Sequence, residues 1–234
     1  MTRAGSLAIV TGASNGIGCE LARCCAEDGY ELLIAADEPE IHRVAEEFRA
    51  LGVPVEAVEV DLATPEGVDA LCRAAAGRSV DALLANAGCR TSRAFLEQDF
   101  GDVRRVIDTN IAGTIDLTQR VGRGMRAHAS GRILLAGPTP ASSAVCNGAK
   151  AFIDSFARAL RAELKYSGVS VTWLARQEKD DPASVARLGY KAMERGDGGV
   201  VSGWTNKLPS VANATLHPML AEQQGRNKMD SANH

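Results

Sequence analysis

Eight residues near the start of the chain, Thr11-Gly12-Ala13-Ser14-Asn15-Gly16-Ile17-Gly18, restrict its fold more than any other feature. They follow an apolar run, Leu7 to Thr11. They lead straight into a stretch, Gly16 to Asp28, whose Leu21 and Cys25 share one helical face. A strand that turns on glycine into a helix points the free N–H groups of the helix start at whatever lies beyond the turn. The three glycines allow a tight turn, a close backbone approach to a diphosphate and close helix packing. A turn with no ligand is the plainer alternative. The position between first strand and first helix favours the anion cradle.

The same alternation continues. Glu31 to Ala36, Val55 to Val60 and Val80 to Ala85 are apolar or strand-like runs. Between them, Ile41 to Leu51 places Ile41, Val44, Ala45, Phe48 and Leu51 on one helical face, and Pro65 suits the first turn of a helix over Pro65 to Ala76. The second half adds a helix over Val103 to His128, a strand over Ile133 to Leu135, a helix over Ala149 to Tyr166 and a strand over Val169 to Leu174. Pro182 then opens a helix over Ala183 to Arg195, and Val200 to Gly203 makes a last short strand. Strands apolar on both faces belong in a covered parallel sheet. Strand, helix, strand at this spacing predicts an α/β fold, a single doubly wound parallel sheet with helices on both faces. We expect one nucleotide-binding Rossmann domain over residues 1–221 and a polar tail over 222–234.

Composition narrows the function classes. With 45% hydrophobic and 24% charged residues, the 234-residue chain reads as an ordinary globular protein. The net charge of −3 is spread without a basic patch or tail, which argues against nucleic acid as a partner. No apolar run approaches the length of a membrane span. Met1 to Ser6 is too short and polar for a signal peptide, so a cytoplasmic location is expected. Six cysteines form no C-x-x-C pair, and the histidines lack ligand spacing, so no metal site is expected.

Asp37 ends the second strand, 19 residues after Gly18. A carboxylate there can accept hydrogen bonds from adenosine ribose hydroxyls and would repel a 2′-phosphate. It can also simply cap the next turn. Neither the loop nor the sequence beside Asp37 carries Arg or Lys, so NAD is the expected cofactor and NADP the less favoured one.

Taken together, these residues resemble the short-chain dehydrogenase/reductase family. The loop has that family's T-G-x-x-x-G-x-G spacing. Asp61-Leu62 matches the adenine-contacting position after the third strand, and Asn86-Ala87-Gly88 the N-A-G motif lining the cofactor cleft. Asn110 matches the tetrad asparagine, and Lys150 the lysine of Y-x-x-x-K. The likeness extends to about Pro218. It implies hydride transfer between a nicotinamide cofactor and a small-molecule carbonyl or secondary alcohol. In that chemistry a tyrosine moves the hydroxyl proton. A lysine lowers the tyrosine's pKa and holds the nicotinamide ribose, a serine binds the substrate oxygen, and the asparagine positions a relay water. The resemblance also implies a homodimer or homotetramer formed through the helices at Val103 to His128 and Ala149 to Tyr166.

Two departures stand out. Cys146 occupies the tyrosine position, four residues before Lys150, and Tyr30 and Tyr166 are not spaced to replace it. A thiol pKa permits proton donation, but its sulfur sits one bond beyond Cβ and would need a bridging water. A reactive thiolate near Lys150 is the alternative role for Cys146. The family serine has no counterpart between Leu135 and Cys146, since Ser142 and Ser143 read as the start of a helix. The segment after Ala175 is also short. Both short segments close over substrate in the family, which suggests a longer biological chain that keeps its serine. The leading functional reading is an oxidoreductase, possessing or lacking full turnover according to Cys146. The alternative is a catalytically inactive dinucleotide-binding protein, a sensor or assembly subunit.

Overall fold

Burial of apolar runs on both faces organises the chain. A computed structural model describes residues 5–91, 93–137, 143–175 and 180–202. These fall in a unit spanning Met1–Gly203, while the expected domain end at 221 and the tail over 222–234 lie outside the described residues. In chain order the elements are β1 (Leu7–Thr11), α1 (Gly16–Glu27), β2 (Glu31–Ala36), α2 (Glu40–Arg49), β3 (Val55–Glu59), α3 (Pro65–Ala74) and β4 (Val80–Ala85). Then follow α4 (Phe100–Ile107), α5 (Thr114–Ala127), β5 (Gly131–Ala136), α6 (Ala144–Glu163), β6 (Val169–Ala175), α7 (Pro182–Arg195) and β7 (Gly199–Val201).

All seven strands pair in parallel, in the order β3-β2-β1-β4-β5-β6-β7. This is the doubly wound Rossmann arrangement. The chain winds outward from β1 through β2 and β3, then returns to β4 and winds the other way. The reversal leaves a crevice beyond the carboxyl ends of β1 and β4, where ligands bind in sheets of this topology.

Successive side chains alternate between the two layers. Ala8 and Val10 of β1 join one core cluster, with Leu21 of α1, Phe48 of α2 and Met193 of α7. Leu7 and Ile9 join the other, with Leu71 of α3, Met125 of α5 and Ile153 of α6. Local chemistry sets several helix ends. Thr64 caps α3 by accepting from the Gly67 N–H at 3.1 Å, just before Pro65. Asp181 accepts from the Ser184 N–H at 2.9 Å before Pro182, and Gly196 ends α7 in the left-handed region.

The helical boundaries depart from the sequence reading in the second half. The long helix expected over Val103 to His128 begins earlier, at Phe100, and is interrupted by a π-helical turn, Asp108–Gly113. Its first turn, Phe100 to Asp102, is exposed, so no apolar stripe marks it. A π turn closes its hydrogen bond across one more residue than an α turn, and here it carries the buried Thr109 and Asn110. Helix α6 likewise starts at Ala144 rather than Ala149. This sets Cys146 and Lys150 in its first two turns. The loops expected to be missing at the two short segments are not found: the sequence runs without a break from β5 through residues 137–143 into α6, and from β6 through 176–179 onward. Residues 138–142, where the family serine was sought, and 176–179 lie outside the described residues.

Candidate functional site

Over the crevice lies a cavity of about 400 Å³, bordered by Gly12, Gly16, Asp37, Asp61, Asn86 and Thr109, with other loop residues. Its floor is made by close backbone approach. Thr11 ends β1 and its Oγ1 accepts from the N–H groups of Asn86 and Ala87, at 3.1 and 3.0 Å, which ties the segment after β4 to the glycine-rich loop. A Cβ on Gly12, which has φ +63°, would stand 2.9 Å from Ala87 Cα; one on Gly18 would stand 1.9 Å from the Gly12 carbonyl oxygen. Both positions therefore exclude a side chain for structural reasons. Gly16 differs. It also has positive φ, but a Cβ there would meet nothing within 4 Å. Helix α1 starts beside it, with Asn15 at the N-cap making no side-chain cap hydrogen bond. Its first N–H groups are thus available to an anion.

At the end of the cavity beyond β2 and β3, three carboxylates gather. Asp37 follows β2, Glu38 follows it, and Asp61 lies two residues beyond β3. Glu38 Oε2 accepts from Ser14 Oγ at 3.0 Å and Asn15 Nδ2 at 3.2 Å, binding it to the loop. The Ala63 N–H donates to Asp61 Oδ1 at 2.9 Å. Here the structure corrects the sequence reading that no cation stands beside Asp37. Arg105 of α4 donates through Nη2 to Asp37 Oδ2 at 3.1 Å and through Nη1 to Asp61 Oδ2 at 2.8 Å. The two partners lie 68 and 44 residues away in sequence, so inspection of the loop and its neighbours missed it.

At the opposite end, the π turn sets Asn110, 2% exposed, against the segment after β4. Its Oδ1 accepts from the Cys89 N–H at 2.8 Å and its Nδ2 donates to the Cys89 carbonyl at 3.0 Å. Gly88 permits this contact, since a Cβ there would come within 2.9 Å of Asn110 Oδ1. Burial pushes the Cys89 thiol above its ordinary pKa, against the pull of the Thr109 hydroxyl and Arg105. Cys89 is therefore a neutral thiol near pH 7, not an activated thiolate.

Cys146 is completely buried on α6. One and two turns on, Lys150 and Asp154 follow, their charged groups 3.9 Å apart. Lys150 Nζ is buried without a hydrogen-bond partner among the described residues and lies against the end of β5, where a Cβ on Gly137 would be 3.8 Å from it. Burial lifts the Asp154 carboxyl above its ordinary range, and Lys150 and Arg158 only partly offset this. Ser143, at the N-cap of α6, also keeps its Oγ buried, with no hydrogen-bond partner among the described residues. Asp154 was legible in the sequence, at the i+4 spacing from Lys150; it was missed because the family pattern stops at the lysine. None of the chain's three tyrosines is at this site. Tyr30 and Tyr190 are buried beside α7 and α1, donating to Glu194 and Asp28, and Tyr166 is exposed past the end of α6.

The residues suit a dinucleotide. The open space over Gly16 leaves room for a diphosphate at a helix start, and the Lys150 ammonium, 3.9 Å from Asp154, has no hydrogen-bond acceptor among the described residues. Comparison with known proteins points the same way. The family profile described as short chain dehydrogenase matches residues 6–176. An uncharacterized oxidoreductase of Myxococcus xanthus (strain DK1622) is 37% identical over 176 residues, covering 70% of this chain and 68% of that protein. Oxidoreductase UcpA of Escherichia coli (strain K12) is 31% identical over 211 residues, covering 81% of this chain and 80% of that protein. In fold, the chain is similar to L-sorbose reductase from Gluconobacter frateurii, solved with NADPH and L-sorbose, with TM-score 0.79 over 89% of this chain and 99% of the other at 22% identity.

Proposed function

Since the chain belongs to the short-chain dehydrogenase family of oxidoreductases, we propose that it holds NAD, in preference to NADP, in the cleft over Gly16 and acts on a small carbonyl or secondary alcohol. The observation that carries this reading is the contrast among the glycines. Gly12 and Gly18 are needed by the fold, whereas Gly16 opens onto empty space at an uncapped helix start. Gly12, Ser14, Asn15, Gly16, Ile17 and Gly18 form the diphosphate cradle, and Asn86, Ala87 and Gly88 line its far wall. Asp37 accepts from the adenosine ribose, and Asp61 with Leu62 borders the adenine.

When bound, the nicotinamide supplies or accepts the hydride. The chain's own residues do the rest. Lys150 offers its buried ammonium to the ribose hydroxyls and keeps the local potential positive. Asn110 commits both side-chain groups to Cys89, so it fixes the wall of the site. Proton delivery is the weak point. Cys146 is buried and short, and no tyrosine stands in for it. Turnover is therefore slow.

That same observation favours a second reading, a dinucleotide-binding protein without turnover. Titration of the purified chain with NADH, followed by fluorescence, tests the shared premise; a chain with no affinity for reduced or oxidised nicotinamide nucleotide refutes both. A panel of ketones and secondary alcohols separates them: slow, saturable NADH oxidation supports the enzyme, and tight binding with no turnover supports the binding protein. For assembly, we propose a homodimer or homotetramer through α5 and α6. A groove of about 690 Å³ between these helices is lined by Ile115, Gly122, Phe156 and Leu160, and Phe152 stacks on Phe156 at 6.2 Å. Size-exclusion chromatography with light scattering checks this, and a strictly monomeric chain refutes it.

A further inference from the structure

The cation missing from the sequence around Asp37 is present in the structure, and it is occupied. Arg105 spans the two carboxylates at the adenosine end, with one Nη on Asp37 and the other on Asp61. Asp61 has a second donor in the Ala63 N–H, so it does not depend on Arg105 for its position. Among the described residues Arg105 alone holds the Asp37 carboxylate, whereas the neighbouring Glu38 is taken up by Ser14 and Asn15 on the loop side. Behind Arg105 lies a second cavity of about 400 Å³, which shares Cys89 and Arg90 with the cofactor cleft. Its described lining holds three guanidinium groups, Arg90, Arg93 and Arg105, against one carboxylate, Asp102. The described surroundings of Arg105 thus carry a net positive charge on that side and a net negative charge toward the cleft.

We propose that Arg105 is a masked ligand for a 2′-phosphate: Asp37, by holding its guanidinium, is what commits this chain to NAD, not the lack of a cation. The proposal rests on the dinucleotide reading above and deepens it to the choice between two cofactors. A guanidinium binds a carboxylate or a phosphate through the same fork of N–H donors. Removal of the Asp37 carboxylate frees one arm of that fork at the place where a 2′-phosphate would replace it. Arg105 keeps its other arm on Asp61 and so stays in position. Glu38 remains as a repelling charge, partly offset by its two donors, and this limits the gain. The Arg105 ion pairs are about half exposed, so they contribute little to stability and the variants are expected to fold.

Direct binding, not turnover, tests this. NADH and NADPH are titrated by fluorescence into the full chain and into D37S, R105Q and D37S/R105Q. The wild-type chain binds NADH more tightly than NADPH. D37S gains about tenfold or more in NADPH affinity, the size of one charge-assisted hydrogen bond. In D37S/R105Q that gain disappears, and in D37S it shrinks as salt is added. A gain that survives in the double variant, or no gain in D37S, overturns the proposal and leaves the cofactor reading standing. A wild-type chain that binds neither nucleotide overturns the cofactor reading, and the proposal with it.

Discussion

Replacing Gly16 and Gly18 in turn by alanine separates a glycine kept for ligand from one kept for fold. At Gly18 the added Cβ would lie 1.9 Å from Gly12 O and 2.6 Å from Asn86 Nδ2. The first of these is backbone, so the loop must shift. Overpacking of this kind costs about 3 kcal/mol. Alanine in the first turn of α1 regains about 1 kcal/mol of helix propensity. The net loss is about 2 kcal/mol, or about 4–8 °C in melting temperature for a chain of this length. At Gly16 nothing is struck, and only the left-handed backbone, φ +56°, is penalised. That costs about 1 kcal/mol, or about 2–4 °C. Yet its methyl stands over the helix start where the diphosphate would approach. Loss of one or two charge-assisted hydrogen bonds there, about 3 kcal/mol in sum, weakens NADH binding about 100-fold. Thermal melts and NADH titration of both variants measure the two effects separately. The reasoning fails if Gly16→Ala binds NADH as tightly as the wild type, or if Gly18→Ala melts at the wild-type temperature.

Three further outcomes follow from the same geometry. Asp154→Asn removes a carboxyl whose pKa is raised by burial above its usual 3.8, with Lys150 and Arg158 only partly compensating. A raised carboxyl contributes stability below the unfolded pKa and loses it as pH rises through the folded one. The amide variant therefore melts higher than wild type at pH 7, and the gap closes toward pH ~4; a variant that melts lower at pH 7 contradicts this. Cys146→Tyr restores a phenol four residues before Lys150 and raises ketone reduction about 100-fold or more, the range of a general acid. A folded variant no faster than wild type would show that Cys146 is not the limiting group. Thr64→Ala deletes the cap of α3 and lowers stability by about 1 kcal/mol, seen as a drop in melting temperature; an unchanged melt would mean the 3.1 Å contact to Gly67 carries nothing.

Local sequence determined much of this protein. The apolar runs at Leu7 to Thr11, Glu31 to Ala36 and Val80 to Ala85 match β1, β2 and β4 residue for residue, because strands buried on both faces leave a nearly continuous apolar signature. The cradle from Gly12 to Gly18 was legible because backbone geometry there depends on the local absence of side chains. The positions of Asn110, Cys146 and Lys150 could be named for the same reason, by short motifs. Tertiary structure alone decided how those positions are met. The bridge from Arg105 to Asp37 and Asp61 joins three elements distant in sequence. The π turn that buries Asn110 was not foreseen from the run read as one long helix, and the burial of Lys150 against the end of β5 depends on how α6 packs. Contacts between distant residues are selected by the shape of the packed layers, and no short window of residues contains that information.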